Sequence, residues 1–182
     1  DDAGFWDRFQ LARYRGGQAY APSAAGKAEG ACTLLNRITE NSIDLDALRN
    51  SGDQHFEILA DAHEQYQQDL TENLRIDQSF LQQHFLDFLQ TPHGERWVGE
   101  GFTVLVDEYQ DTNPIQEEIY FALTGDNDLT VVGDDDQSLY RFRGATVESL
   151  IDFDVACQHY LGVEPRPVYL QNNRRSHPGI VQ

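Results

Sequence analysis

Between Leu34 and Leu89 the apolar positions recur at the period of a helix. Phe56, Leu59, Ala60, His63, Tyr66, Leu70 and Leu74 fall three or four residues apart, as one face of a helix does. Phe80, Leu81, Phe85, Leu86, Phe88 and Leu89 repeat the pattern. Ser42 to Leu48 predicts a short helical segment, which Gly52 breaks from the next. Ahead of these, Phe5, Trp6, Phe9, Leu11 and Tyr14 recur at near-helical spacing until Gly16-Gly17 ends the run. Ala19 to Gly30 is rich in Gly, Ala, Pro and Ser and predicts a loop or linker.

After Pro92 the period changes. Phe102 to Val106 and Leu129 to Val132 are short β-rich runs, and Arg166 to Leu170 is a third. Helical stretches separate them. Asn113-Pro114 opens one with proline at the first helical position and Glu117 and Glu118 in the first turn, and Gly125 closes it. Thr146 is placed to cap the next, which runs through Leu150 and Phe153. Strands alternating with helices predict parallel βαβ units, hence an α/β fold preceded by a helical subdomain. In such sheets ligands gather at the carboxyl ends of strands. Asp107-Glu108, Gly133-Asp134 and Asn173 all fall there.

Composition narrows the class. Hydrophobic residues make up 40% and charged residues 24% of 182, a balance that predicts a globular core without disulfides or metals. No apolar run reaches the roughly 18 residues of a membrane span, and Asp1-Asp2-Ala3-Gly4 carries no secretory signal. Cys32 and Cys157 form no Cys-x-x-Cys pair and are expected as two buried free thiols in a reducing cytoplasm. His55, His63 and His84 lie on or near helical faces, where packing or surface roles outweigh metal binding. Ala25-Gly26-Lys27-Ala28 lacks the first glycine and the Ser/Thr of a phosphate loop.

Charge pulls against the chemistry that follows. Thirty-one acids face 13 bases, a net charge of −18, and Lys27 is the only lysine. Alone, this argues against nucleic acid, whose phosphates ask for a positive field. A surface adapted to salt is one explanation. A protein-binding face or a DNA mimic in the acidic stretch from Glu40 to Asp87 is another.

Val104-Leu105-Val106-Asp107-Glu108 is an apolar strand ending in two acids, the shape of a Walker B element. Many strands also end in an acid for solubility alone. The run continues Tyr109-Gln110-Asp111-Thr112-Asn113-Pro114-Ile115-Gln116. The next strand ends Val131-Val132-Gly133-Asp134-Asp135-Asp136-Gln137-Ser138-Leu139-Tyr140-Arg141-Phe142-Arg143-Gly144-Ala145, and Leu170-Gln171-Asn172-Asn173-Arg174-Arg175-Ser176 follows. In order and spacing these resemble motifs II, III and IV of the UvrD/Rep/PcrA group of superfamily-one helicases. The resemblance covers about Phe102 to Ser176. Before that there is only a weak likeness to the helical insertion preceding motif II.

The resemblance implies a partial RecA-like parallel sheet of the P-loop NTPase type, with ATP and Mg²⁺ as cofactors. By matching position, Asp107 is the Mg²⁺-ordering acid and Glu108 the general base. Gln137 is the glutamine that senses the γ-phosphate. Tyr140 and Phe142 meet single-stranded bases, with Phe142 where Trp is common, and Arg143 serves the phosphate and DNA end of the loop. Arg175 stabilises charge on the transferring phosphoryl group. Arg174 stands where the family has the tyrosine that stacks on adenine, and its guanidinium plane offers a substitute. Bland alternatives stay open: Asp134 to Asp136 as a solvated acidic turn or a nuclease metal site, Tyr140 and Phe142 as core, Arg175 as a surface ion-pair partner.

The implied organisation is a helical insertion over 1–95, part of the first motor domain over 96–165 and the start of the second over 166–182. No Gly-rich phosphate loop and no motif V or VI occur in the sequence. The expectation is therefore an internal fragment of a larger 3′ to 5′ DNA helicase, inactive by itself. Its parent would act on single-stranded and duplex DNA in the cytoplasm, at the nucleoid, with repair or replication proteins as possible partners. A degenerate module binding DNA or protein without catalysis is the alternative, as is the motor of a helicase–nuclease.

Overall fold

The computed structural model describes residues 13–15, 18–20, 23–134, 150, 152–170 and 172. Two short antiparallel strands, β1 (Arg13–Arg15) and β2 (Gln18–Tyr20), come first, with Tyr14 paired to Ala19. This differs from the helical spacing read through Tyr14, whose earlier positions lie outside the described residues. Helix α1 (Ala24–Glu40) begins within the stretch expected to be a loop. The reason is local: the Ser23 hydroxyl accepts the Gly26 N–H at 3.2 Å, and the alanines that follow are the best helix formers, enough to carry Gly26 and Gly30.

Helices α2 (Leu45–Arg49), α3 (Gln54–Glu72) and α4 (Gln78–Leu89) fall in the stretches read as helical. Leu74, however, lies past the end of α3 at φ 52° and is 96% exposed, and Leu81 and Phe88 of the α4 period face solvent. Each of the three helices starts on an aspartate, Asp44, Asp53 or Asp77, whose carboxylate accepts a first-turn N–H. Gly52, at φ +76°, supplies the left-handed turn between α2 and α3. Leu34, Leu35 and Ile38 of α1 bury against Leu59 of α3, with Leu45, Leu48, Phe56 and Tyr66 packed around them.

Helix α5 (Pro92–Val98) was not foreseen. Thr91 caps it and Pro92 occupies its first turn. It lies hard against the end of α4: a Cβ on Gly94 would overlap the Phe88 carbonyl oxygen and approach Leu89 Cα to 2.6 Å. Next come β3 (Thr103–Val106), a 3-10 turn (Tyr109–Asp111), α6 (Pro114–Thr124) and β4 (Asp128–Val131). β3 and β4 pair in parallel, Thr103 opposite Asp128 and Val106 opposite Val131. Asn113 opens α6, as Asn-Pro suggests, and with Gln116 it closes a reciprocal capping box. Leu86, Leu89, Val98, Ile115 and Ile119 form one buried cluster, so α4 and α5 share a core with α6.

Leu150 is helical, the cap assigned to Thr146 lies outside the described residues, and helix α7 (Phe153–Tyr160) follows. It packs on α6 through Phe121 and Tyr160, whose rings stack with centroids 4.6 Å apart. Arg166 to Leu170 is not a strand. Its β-rich side chains find no partner strand among the described residues, and Leu170 is 89% exposed. β propensity becomes a strand only where a neighbour pairs and buries it. Cys157 is buried as expected, but Cys32 is exposed, because α1 turns that position outward. No helix among the described residues is long and apolar enough to cross a membrane.

Candidate functional site

The carboxyl ends of β3 and β4 are clipped together beyond the sheet itself. Val132 N–H donates to the Val106 carbonyl at 2.8 Å, and Tyr109 N–H donates back to the Val132 carbonyl at 3.0 Å. Val106 is buried. The next two residues, Asp107 and Glu108, are exposed at the strand end. Asp107 Oδ1 accepts the N–H of Glu108 at 2.9 Å, which orients the first carboxylate.

Glu108 has φ 52° and ψ 41°, the left-handed region, which costs a residue with a Cβ on the order of 1–3 kcal/mol. The reversal lets the chain pass directly from the strand into the 3-10 turn, where Asp111 N–H donates to the Glu108 carbonyl at 2.9 Å. It also drives Tyr109 and Gln110 inward, to 0% and 2% exposure. The strain is held by what those two side chains find inside.

Tyr109 lies edge-on to Phe153, centroids 5.1 Å apart, and its hydroxyl donates to Glu117 Oε1 at 2.7 Å. Burial, and then that hydrogen bond, push the phenol well above its usual range. Burial also raises the Glu117 carboxyl, while the tyrosine hydroxyl draws it back down. Gln110 spans two elements. Its Nε2 donates to Glu108 Oε2 at 2.6 Å and its Oε1 accepts the Asp134 N–H at 3.0 Å. Glycine at 133 makes room: a Cβ there would sit 2.8 Å from Gln110 Oε1 and 3.2 Å from a Leu150 methyl.

Of the residues singled out by sequence, Asp107 and Glu108 stand side by side at this strand end. Gln137, Tyr140, Phe142, Arg143, Arg174 and Arg175 lie outside the described residues. The sequence singles out Glu117 only for the first turn of α6 and Gly133 only as part of the strand-end turn, and it gives Tyr109 and Gln110 no role. Tyr109 and Gln110 were quoted in the strand-end run, but nothing local marks them as buried.

Residues 10–158 match the UvrD/REP helicase N-terminal domain. The chain belongs to the UvrD/REP helicase family. The ATP-dependent DNA helicase PcrA of Staphylococcus epidermidis is 32% identical over 151 residues, which are 81% of this chain and 20% of that protein. Its namesake in Staphylococcus aureus is 32% identical over 146 residues, 79% of this chain and 19% of that protein. The chain thus spans about a fifth of the length of the curated relatives it matches.

For this UvrD/REP helicase segment the donor set bears on which ion could be held. Among the described residues no three His, Cys, Asp or Glu side chains gather into a metal cage. Mg²⁺ with a nucleotide needs no cage: one or two carboxylates suffice when phosphate oxygens and water complete the shell. The exposed Asp107 carboxylate at the strand end fits that requirement.

Proposed function

We propose that this segment works within a longer ATP-dependent DNA helicase that moves along single-stranded DNA, 3′ to 5′, and separates duplex strands. The observation that carries the reading is the acid pair at the end of β3, with Asp107 oriented by the Glu108 amide and Glu108 anchored through Gln110 to the end of β4. Asp107 would hold Mg²⁺, which when bound with ATP neutralises charge developing on the phosphates. Glu108 orients the attacking water and takes its proton. Gln137 and Arg175 would face the phosphates, Arg174 the adenine, and Tyr140, Phe142 and Arg143 the single strand.

The domain division proposed is a helical insertion over 1–95, part of the first motor domain over 96–165 and the start of the second over 166–182. The sheet supports a longer parent. Parallel strands ordinarily bury both faces, yet Leu105 in β3 is 73% exposed. A helicase of this kind belongs in the cytoplasm at the nucleoid, in repair or replication. The acidic surface, net −18, reads as adaptation to salt.

The test is Glu108→Gln in the longer parent. Hydrolysis should fall by about 10²–10⁴-fold, the typical worth of a general base, while nucleotide binding persists. Near-parental turnover would reject Glu108 as the base and move a non-catalytic DNA- or protein-binding reading ahead.

A further inference from the structure

We infer that Gln110 is a positioning residue for the hydrolytic step: it fixes the Glu108 carboxylate relative to the end of the second strand. The inference rests on the reading of Glu108 as the base. Gln110 is 2% exposed, and its side-chain amide is used at both ends. Its amide orientation is set by chemistry as well as by distance. Glu108 offers only acceptors and the Asp134 amide only a donor, so a single orientation of a glutamine amide satisfies both.

The bridge crosses 24 residues of sequence, from the turn after β3 to the backbone just past β4. The base sits on a left-handed residue in an exposed bend, where the main chain alone gives its side chain no fixed direction. The 2.6 Å hydrogen bond from Gln110 supplies one. Gly133 is the second part of the device. A Cβ there would sit 2.8 Å from Gln110 Oε1, so the amide must shift to admit any side chain. Orientation of this kind has catalytic weight, because displacement of a reacting group by about 1 Å can cost on the order of 10²-fold in rate.

The test uses three variants of the longer parent. Gln110→Ala removes both hydrogen bonds. Gln110→Glu keeps the acceptor for the Asp134 amide but sets a carboxylate against Glu108. Gly133→Ala leaves every polar group in place and crowds the bridge. Each is expected to lower kcat by about 10–100-fold, the usual range when a group orienting an active-site ligand is lost, with KM for ATP within about twofold of the parent. Hydrogen exchange at the Asp134 amide should accelerate in Gln110→Ala and stay protected in Gln110→Glu.

Parental kcat in Gln110→Glu would overturn the proposal, because the donor to Glu108 is then absent without consequence. Loss of kcat and ATP affinity together, in step with a lowered melting temperature, would overturn it in favour of plain structural support. Unchanged exchange at Asp134 in Gln110→Ala would refute the bridge itself. Glu108→Gln measured alongside separates the two readings. If it retains turnover, the base assignment fails and takes this proposal with it. If it is inactive while the Gln110 variants are not, only the positioning role fails.

Discussion

The helices from Ala24 to Val98 and the strand ends around Glu108 are stabilised by opposite uses of polar groups. In the helical region polar side chains lie mostly at the surface and act locally. Asp44, Asp53, Asp77 and Thr91 each cap their own helix. Arg49 faces Asp46, Asp61 and Glu64 at 3.4, 3.3 and 2.6 Å on an open face. At the strand ends Tyr109, Gln110, Thr112 and Asn113 are buried, and Tyr109 and Gln110 hold partners on other elements. Exposed polar groups compete with water and contribute little each. Leaving a buried one unpaired is costly, so the paired ones fix position. The contrast places rigidity at the strand ends and solubility on the helical surface.

Tyr109→Phe is the substitution that would most strongly break this contrast. It keeps the ring against Phe153 but leaves the half-buried Glu117 carboxylate without its donor. A loss of about 1–3 kcal/mol is expected in denaturant unfolding. It should also depend on pH. Burial holds the folded Glu117 pKa above its ordinary 4.5, so a neutral Glu117 favours folding, and that benefit is lost as pH rises through the folded value. Removing the hydroxyl raises that value further. The cost of Tyr109→Phe should therefore be larger at neutral pH than in acid, and a pH-independent cost would detach Glu117 from the pair.

Glu108 allows a cleaner measurement. Glu108→Gly and Glu108→Ala lose the same carboxylate and the same bond to Gln110. They differ in tolerance of φ 52°. The glycine variant should be more stable than the alanine variant by about 1 kcal/mol, the reverse of their order in a helix. Equal stabilities would mean that the left-handed conformation stores no strain.

The helical region has a buried polar pair of its own, and it tests the contrast from the other side. His63 Nε2 and Thr39 Oγ1 lie 2.9 Å apart between α3 and α1. Burial lowers the His63 pKa, against the opposing pull of Asp77 and Glu64. The unfolded chain then takes up the proton first as pH falls. The stability tied to neutral His63 is complete above its ordinary 6.5 and is lost as pH drops through the folded value. Melting temperature should decline over that window, and His63→Leu should flatten the decline. An unaltered profile would assign the acid sensitivity elsewhere.

The smallest effect is expected at Arg49. Arg49→Ala should lower the melting temperature only slightly, and the loss should shrink as salt screens the face. A larger, salt-independent loss would make this network resemble the buried one and weaken the comparison.

How far sequence reaches follows the same division. α3 and α4 were legible because their cores are built from residues three and four apart, and their aspartate caps lie beside them. The Asp107-Glu108 strand end was legible as a pattern, and the resemblance it carried led to the family. Short α5 was not, since its place depends on Gly94 meeting the end of α4. Arg166 to Leu170 carries strand-forming residues, but whether a strand forms is settled by a neighbour.

Periodicity, capping and the strand-end acids were thus determined by residues close along the chain, where backbone geometry alone sets which side chains meet. The exposure of Cys32, the left-handed turn at Glu108 and the inward turn of Tyr109 were decided only by packing. So was the bridge from Gln110 to Asp134, 24 residues away. The physical reason is that a buried polar group costs free energy unless its partner is present. That partner is brought up by the pairing of β3 with β4, which no local pattern around Gln110 records.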